Sequence, residues 1–339
     1  MNEVIPTIKE IAKRLNVSVS TVSRALSNHP RIGLKTKEAV KKVAEELNYE
    51  PNPKAIFFKQ QKSFVIGVIV PHITEDFFSK SINGIEDMAI EHGYTILFGQ
   101  SHDSIEKEEQ VLSAMKRQRV DGLLISLSKE TNHYEHFDVL DKLNIPVVFF
   151  DRVPSSDKVN KVYCNLYSGM VDMIEWLFKN GRKRIAFING PSEISASKER
   201  FEGYVQGVSK RKLKIDMQMV EQTDLSEKGT NAAMERLLAL KRRPDAIITF
   251  NDYVHLDAVK FARYKGIKIN EEIVFASFAN ISMNKYTTFP LVVSIDQFPY
   301  KQGQMAMQTL IEILDTKDAD DKIKNNFRKI EMPSKLAHV

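Results

Sequence analysis

Two hydrophobic periodicities divide the chain. From Thr7 to Asn28, apolar side chains recur at helical spacing: Ile8, Ile11, Ala12 and Leu15, then Val22 and Leu26 beyond the turn Asn16-Val17-Ser18. The pattern predicts two short helices joined by a tight turn, with Ser18 placed to cap the second. Glu38 to Leu47 repeats the helical period, with Ala39, Val40, Val43, Ala44 and Leu47 on one stripe, so three short helices enclose a small core. Pro51 and Pro53 interrupt that period and predict an interdomain connection, followed by one or two helical turns over 55–62.

From residue 64 the pattern changes to short apolar runs alternating with amphipathic segments. Strands are predicted at Phe64 to Val70, Thr95 to Phe98, Gly122 to Ile125, Val147 to Phe150, Ile185 to Ile188, Met217 to Val220, Ala246 to Phe250, Val274 to Phe278 and Val292 to Ile295. Helices are predicted at Phe77 to His92, Lys107 to Gln118, Leu166 to Lys179 and Thr230 to Ala239. Such alternation implies parallel sheets covered on both faces. A division near residue 163 makes two doubly wound lobes whose strand-end loops open into a shared crevice, a natural ligand site. A single larger α/β domain is the alternative. Asp315 to Asn326, rich in Asp, Lys and Asn, reads as an exposed connection.

Length and charge sharpen this division. At 339 residues the chain is sized for two or three domains. Its longest strongly apolar stretches, such as Val65 to Val70, are too short to span a bilayer. No apolar signal segment follows Met1, and the single cysteine, Cys164, excludes an intrachain disulfide framework, so a cytoplasmic protein is expected. Residues 1–62 carry 12 Lys/Arg against 6 Asp/Glu, a net of +6, whereas the remaining 37 and 38 net −1. The excess positive charge thus lies with the paired helices, as attraction to phosphate requires.

On the second helix Val19, Ser20 and Arg24 fall near one accessible face while Val22 and Leu26 anchor the other. Arg24 suits bidentate readout of guanine, Ser20 a flexible polar contact and Val19 packing on a thymine methyl. Thr21, Ser23, Asn28, His29 and Thr36 suit backbone phosphates, with Lys35 and Lys37 adding charge. Catalytic signatures are weak: there is no GxSxG elbow, Walker loop or HExxH pair. His133 and His136 lie near Glu130 and Glu135 in what reads as an exposed loop, a poor metal site. Cys164 lacks an adjacent His partner, and Trp176 sits on an amphipathic helix as a packing residue. No enzyme, cofactor or metal is expected.

The segment TIKEIAKRLNVSVSTVSRALSN, followed by LNYEPNPKA ending at Ala55, strongly resembles the lactose-repressor, or LacI/GalR, family. The likeness continues through VIGVIVPHITEDFFSKSINGIEDMAIEHGY, VDGLLI, IPVVFFDR, KRIAFINGP, RFEGY, IITFNDY and SIDQF, covering nearly the whole chain. The resemblance implies a multidomain α/β protein: an amino-terminal three-helix helix-turn-helix domain and a two-lobed sensor, similar to periplasmic binding proteins, with parallel sheets. The expected boundaries are 1–50 for the DNA-binding domain, 51–62 for a hinge helix, 63–163 with 292–325 for the amino-terminal lobe, and 164–291 with 326–339 for the carboxyl-terminal lobe. It further implies a cytoplasmic homodimer that binds a palindromic double-stranded operator, represses transcription and senses a small effector such as a sugar or sugar derivative, with no membrane partner.

The same resemblance assigns base reading to Val19, Ser20 and Arg24, and minor-groove contact to Ala55 and Phe58. It places Asp76, Phe77, Asp151, Arg200, Asn251 and Gln297 at the effector. Two departures qualify it. Ile56 stands where the family usually has arginine and Phe58 where it usually has leucine, so Phe58 is either a wedge between base steps or a packing residue between paired hinge helices. The usual Gly-Phe-Asp-Asp stretch is Ser277-Phe278-Ala279-Asn280, which removes an acidic group often used to bind effector.

Overall fold

A computed structural model describes residues 6–49, 62–211, 214–317 and 327–338. The expected hinge residues Ala55, Ile56 and Phe58 lie outside them. The chain divides into two compact units, Met1–Ser63 and Phe64–Val339.

The first unit contains α1 (Ile8–Arg14), α2 (Val19–Leu26) and α3 (Leu34–Glu46). Thr7 and Glu10 form a capping box on α1, and Ser18 Oγ accepts the Thr21 N–H at 3.0 Å to cap α2. Each helix is followed by an asparagine in the left-handed region: Asn16 (φ 52°), Asn28 (φ 53°) and Asn48 (φ 49°). Asparagine tolerates this conformation, which turns the chain and ends the helix. Ile11, Ala12, Val22, Ala25, Val40 and Ala44 form the buried centre. The third helix starts four residues before the predicted Glu38, since Gly33 at its N-cap leaves Leu34 to Lys37 free to join it.

The second unit holds two six-stranded sheets. The first orders β11-β5-β4-β3-β1-β2, all parallel, from β1 (Val65–Val70), β2 (Thr95–Gln100), β3 (Gly122–Ile125), β4 (Val147–Phe150), β5 (Asn160–Cys164) and β11 (Lys329–Met332). The second orders β12-β10-β9-β8-β6-β7, from β6 (Ile185–Asn189), β7 (Val220–Gln222), β8 (Ala246–Thr249), β9 (Val274–Phe278), β10 (Val293–Asp296) and β12 (Lys335–Ala337). Only the short β12 runs antiparallel there. Both predicted sheets exist, and the single α/β domain is set aside.

Helices cover the sheet faces: α4 (Asp76–Glu91), α5 (Ile105–Arg117), α6 (Asp138–Lys142) and α11 (Pro299–Lys317) in the amino-terminal lobe, and α7 (Leu166–Lys179), α8 (Ser195–Ser209), α9 (Glu227–Ala239) and α10 (Asp252–Tyr264) in the carboxyl-terminal lobe. Helices α4 and α11 pack at very short range through glycines. A Cβ on Gly84 would lie 2.1 Å from the Tyr300 carbonyl oxygen, and one on Gly303 2.0 Å from that of Ser81. Any larger side chain at either position would force the helices apart.

The chain passes between lobes differently from the expected boundaries. Val293–Asp296 belongs to the carboxyl-terminal sheet, although 292–325 was assigned to the other lobe, and Lys329–Met332 pairs with β5 in the amino-terminal sheet rather than within 326–339 of its neighbour. The crossings therefore fall after Asp296 and between Met332 and Lys335. Met217–Met219 forms a 3-10 turn instead of a strand, with only Val220–Gln222 paired, because the Asp216 carboxylate accepts the Gln218 N–H and bends the chain there.

Candidate functional site

In the first unit the capped α2 presents Val19, Ser20 and Arg24 outward, Val19 being 42% exposed, while Val22 is fully buried. The Ser18 hydroxyl is hydrogen-bonded to both Ser20 and Thr21 hydroxyls at 2.8 Å, so Ser20 is pre-oriented at the first turn. Asn28 and His29 follow its far end, and Thr36 lies in the first turn of α3. Lys37 Nζ donates to Asn28 Oδ1 at 2.7 Å and to its carbonyl at 3.1 Å, and His29 Nδ1 accepts the Arg31 N–H. Lys37 thus holds the turn in place, while Lys35 and Arg31 remain exposed. A rigid helix with a small outward face and flanking cations has the form of a major-groove reader.

In the second unit the crevice between lobes collects the carboxyl ends of the parallel strands. Asp151 follows β4 in a left-handed conformation (φ 58°), and Ser126 Oγ donates to its carboxylate at 3.4 Å. Burial pushes the Asp151 carboxyl up to about 6, against the pull of Arg152 and Arg200. Arg200, on α8, is only 4% exposed. Burial brings its guanidinium down to about 10, partly offset by Asp151 and Glu199. Its Cζ lies 4.1 Å from the Phe250 ring centre and 4.5 Å from that of Phe278, and its Nε and Nη1 have no hydrogen-bond partner among the described residues. A buried cation with unfilled donors is costly unless a ligand completes it.

The other resemblance-derived positions are arranged differently. Asp76 pairs with Lys80 at 2.6 Å and accepts the Ser282 N–H at 3.3 Å, lying where the lobes meet. Asn251 caps α10 by accepting the Val254 N–H at 2.9 Å, and Phe77 is packed edge-on against Phe78 in the amino-terminal core. Gln297 is buried, its carbonyl accepting from the Gln302 amide at 2.8 Å. Ala279, in the altered stretch, has φ 103°, a conformation unusual for a residue with a Cβ.

Several participants had no clear sequence signal. Arg152 pairs with Asp103, which also faces His72 at 3.7 Å. These three come from the loops after β4, β2 and β1, so a systematic reading of every strand-end loop would have found them. Asp252 is fully buried and accepts the Ile281 N–H and the Asn284 amide, each at 2.8 Å. It therefore braces the loop after β9. Gly190 leaves room for the Phe250 ring: a Cβ there would lie 2.7 Å from it. His136 turns inward to Glu108 at 3.0 Å, while His133 pairs with Glu135. Cys164 is buried with its thiol pushed up to about 12, the behaviour of an inert packing residue. Among the described residues no helix is long and apolar enough to cross a membrane.

A capped DNA-reading helical unit and a two-lobed α/β unit with a polar interlobe crevice define a ligand-responsive transcription regulator. Comparisons with known proteins agree. Residues 7–52 match the bacterial regulatory proteins of the lacI family, and residues 63–335 match the periplasmic binding proteins and sugar binding domain of the LacI family. The chain belongs to the LacI family of DNA-binding transcription regulators, and its relatives are repressors rather than enzymes.

It is 31% identical over 313 residues to the HTH-type transcriptional repressor CytR of Escherichia coli K12, covering 91% of this chain and 90% of that protein. It is 29% identical to the HTH-type transcriptional repressor PurR of Vibrio atlanticus, with 94% of each covered. Among solved structures, the lac repressor dimer bound to operator and the anti-inducer ONPF superimposes with a TM-score of 0.80 at 21% identity, covering 98% of both chains. The complex of the regulator CelR with cellobiose gives 0.71 at 23%, again covering 98% of both.

Proposed function

We propose that this chain is a cytoplasmic homodimeric repressor that reads a palindromic operator through Val19, Ser20 and Arg24 and is controlled by a small polar effector in the interlobe crevice. The buried, under-bonded Arg200 facing the Asp151 charge carries the sensor half of this reading. Thr21, Ser23, Asn28, His29 and Thr36 position the reader on phosphates, and residues 51–62, with Ala55 and Phe58, supply the hinge. Asp76, Phe77, Asn251 and Gln297 complete the crevice around a sugar, sugar derivative or nucleoside. The sugar binding domain matched by residues 63–335 and the CelR–cellobiose complex support control by a small metabolite, and the operator-bound lac repressor dimer supports two-fold DNA recognition. Ligand shifts the balance between lobe arrangements and thereby DNA affinity.

In vitro selection from random duplexes, followed by anisotropy titrations over a salt series, tests this reading. A palindrome should emerge, and Arg24→Ala should weaken binding to it by about 1–3 kcal/mol more than to scrambled DNA. A well-folded dimer with no sequence-dependent binding, with or without candidate ligands, refutes it. Equal losses on both duplexes would restrict Arg24 to phosphate contact.

A further inference from the structure

Positive charge in the second unit is concentrated at one end of the carboxyl-terminal lobe. Strands β8, β6 and β7 are parallel neighbours, so the loops that enter them lie side by side at their amino ends, opposite the crevice. At about 4.8 Å per strand these loops span roughly 10 Å. Over 175–184, 209–211, 214–216 and 240–245 the chain carries 10 Lys/Arg against three acids, Glu175, Asp216 and Asp245, a net of +7, whereas the rest of 63–339 nets −8.

The acids are already engaged. Glu175 pairs with Lys179 at 2.7 Å and with Arg211 at 4.0 Å, Asp245 accepts the Lys183 and Arg184 N–H groups at 3.1 and 2.9 Å, and Asp216 accepts the Gln218 N–H at 3.0 Å. Arg184 and Arg243 donate to the carbonyls of Arg243 and Leu238. Arg182, Lys183, Lys210, Lys214, Lys241 and Arg242 have side chains in no ion pair or hydrogen bond among the described residues, and all but the half-buried Arg182 are exposed. The helix macrodipole favours Lys179 and Lys210 at the ends of α7 and α8 but fades within the last turn, so it leaves the other loop cations unexplained. The next loop at this end, before β9, is balanced: Lys265 pairs with Glu235 and Lys268 with Glu271, beside Glu272.

We infer that these three loops bind the phosphates of a second stretch of double-stranded DNA without reading its sequence. A 10 Å length of duplex carries about six phosphates, as many as the unpaired cations. No aromatic side chain is exposed in the loops, which removes the stacking platform that single strands use. Met217 is the one large apolar side chain exposed beside them among the described residues, too little to anchor in a lipid surface. A regulator held on DNA also meets duplex at high local concentration. The loops thus let one molecule hold two stretches of duplex at once.

In the full chain, Ser209→Cys carrying an aryl azide should crosslink to a random-sequence duplex, while the same label on Ser192→Cys, at the crevice end of the lobe, should not. The buried Cys164 takes no label. Equal adducts at the two positions overturn the inference. Protein saturated with a short duplex carrying its selected palindrome should take up a labelled random duplex, with a log–log salt slope of about −5 for six phosphates. Lys183→Gln/Lys210→Gln/Lys214→Gln/Lys241→Gln/Arg242→Gln should weaken this uptake at least about tenfold at about 50 mM salt and leave palindrome affinity and the thermal midpoint unchanged. If that variant is less stable, Lys210→Gln/Lys214→Gln replaces it and should weaken uptake at least about threefold. Uptake that is absent from wild type, insensitive to salt or equal in the variants overturns the inference. Sedimentation with phosphatidylserine vesicles but not with duplex would assign the surface to lipid and overturn it as well. Failure of the operator reading would show separately, as no palindrome in the selection, and leaves the crosslinking comparison intact.

Discussion

Tyr253 of the carboxyl-terminal lobe is tied to Asp76 of the amino-terminal lobe: its hydroxyl oxygen accepts the Asp76 N–H at 3.1 Å and donates to the Thr74 carbonyl at 3.5 Å. The Asp76 carboxylate reaches back to the Ser282 N–H, so the rim of the crevice is bridged twice. Removing a net hydrogen bond of about 1 kcal/mol changes a two-state ratio roughly fivefold. Tyr253→Phe should therefore shift ligand-free molecules toward a more open arrangement of lobes. Spin-label distances between the lobes would broaden and lengthen, and an unchanged distribution would remove Tyr253 as a latch.

Buried groups give the carboxyl-terminal lobe opposing responses to pH. Burial pushes Asp252 up to about 6 and pulls His255 down to about 3. A carboxyl whose pKa is raised on folding binds protons more tightly in the native state, so its contribution is present at low pH and lost as pH rises from about 4 to 6. A histidine whose pKa is lowered acts in reverse, contributing above about 6.5 and losing that contribution on acidification. His255→Leu should reduce acid sensitivity below about pH 6.5, and Asp252→Asn should increase the stability lost between pH 6 and 4. Urea midpoints across this range check both, and parallel curves for the variants and wild type would contradict the assignment.

Ala279 combines a Cβ with φ 103° immediately after β9. Relief of that backbone strain outweighs the added unfolded-state freedom of glycine, so Ala279→Gly should stabilise the protein by about 0.5–1 kcal/mol. A thermal midpoint that stays put or falls would show that the loop holds Ala279 without strain. The substitution also tests whether the departure at this stretch tunes the crevice, since ligand affinity and stability are then read on the same variant.

The elements legible in the chain were those whose burial leaves a strong periodic pattern. Leu166–Lys179 was placed at its observed bounds because its apolar stripe is continuous, and Val274–Phe278 because a strand buried on both faces reads as one apolar run. Lys329–Met332 and Asn160–Cys164 were missed because both carry exposed or half-buried polar residues, and their pairing joins distant parts of the chain. The reader face of α2 was visible from spacing alone. The crevice followed from the alternation of strands and helices, but Asp151 and Arg200 were assigned to it only through family likeness, since the contacts of Arg200 with Phe250 and Phe278 join α8 to the ends of two different strands. No local pattern encodes such a meeting.

Glu108 shows how far local sequence can mislead. It lies on the polar-looking helix α5, amid charged neighbours, and is nevertheless fully buried. Its carboxylate accepts from the Ser128 N–H and hydroxyl at 2.8 Å, the Thr131 hydroxyl at 2.9 Å and His136 Nε2 at 3.0 Å. One acid thus organises the loop after β3 and draws His136 away from the exposed cluster expected with Glu130 and Glu135. Glu108→Ala leaves four donors without their acceptor and should cost about 3–5 kcal/mol. Glu108→Gln keeps one acceptor oxygen and should cost roughly 1–3 kcal/mol. Denaturant unfolding distinguishes these outcomes. Equal stability of the alanine variant and wild type would mean that water or a relaxed loop satisfies the same donors, and that Glu108 does not hold this side of the lobe together.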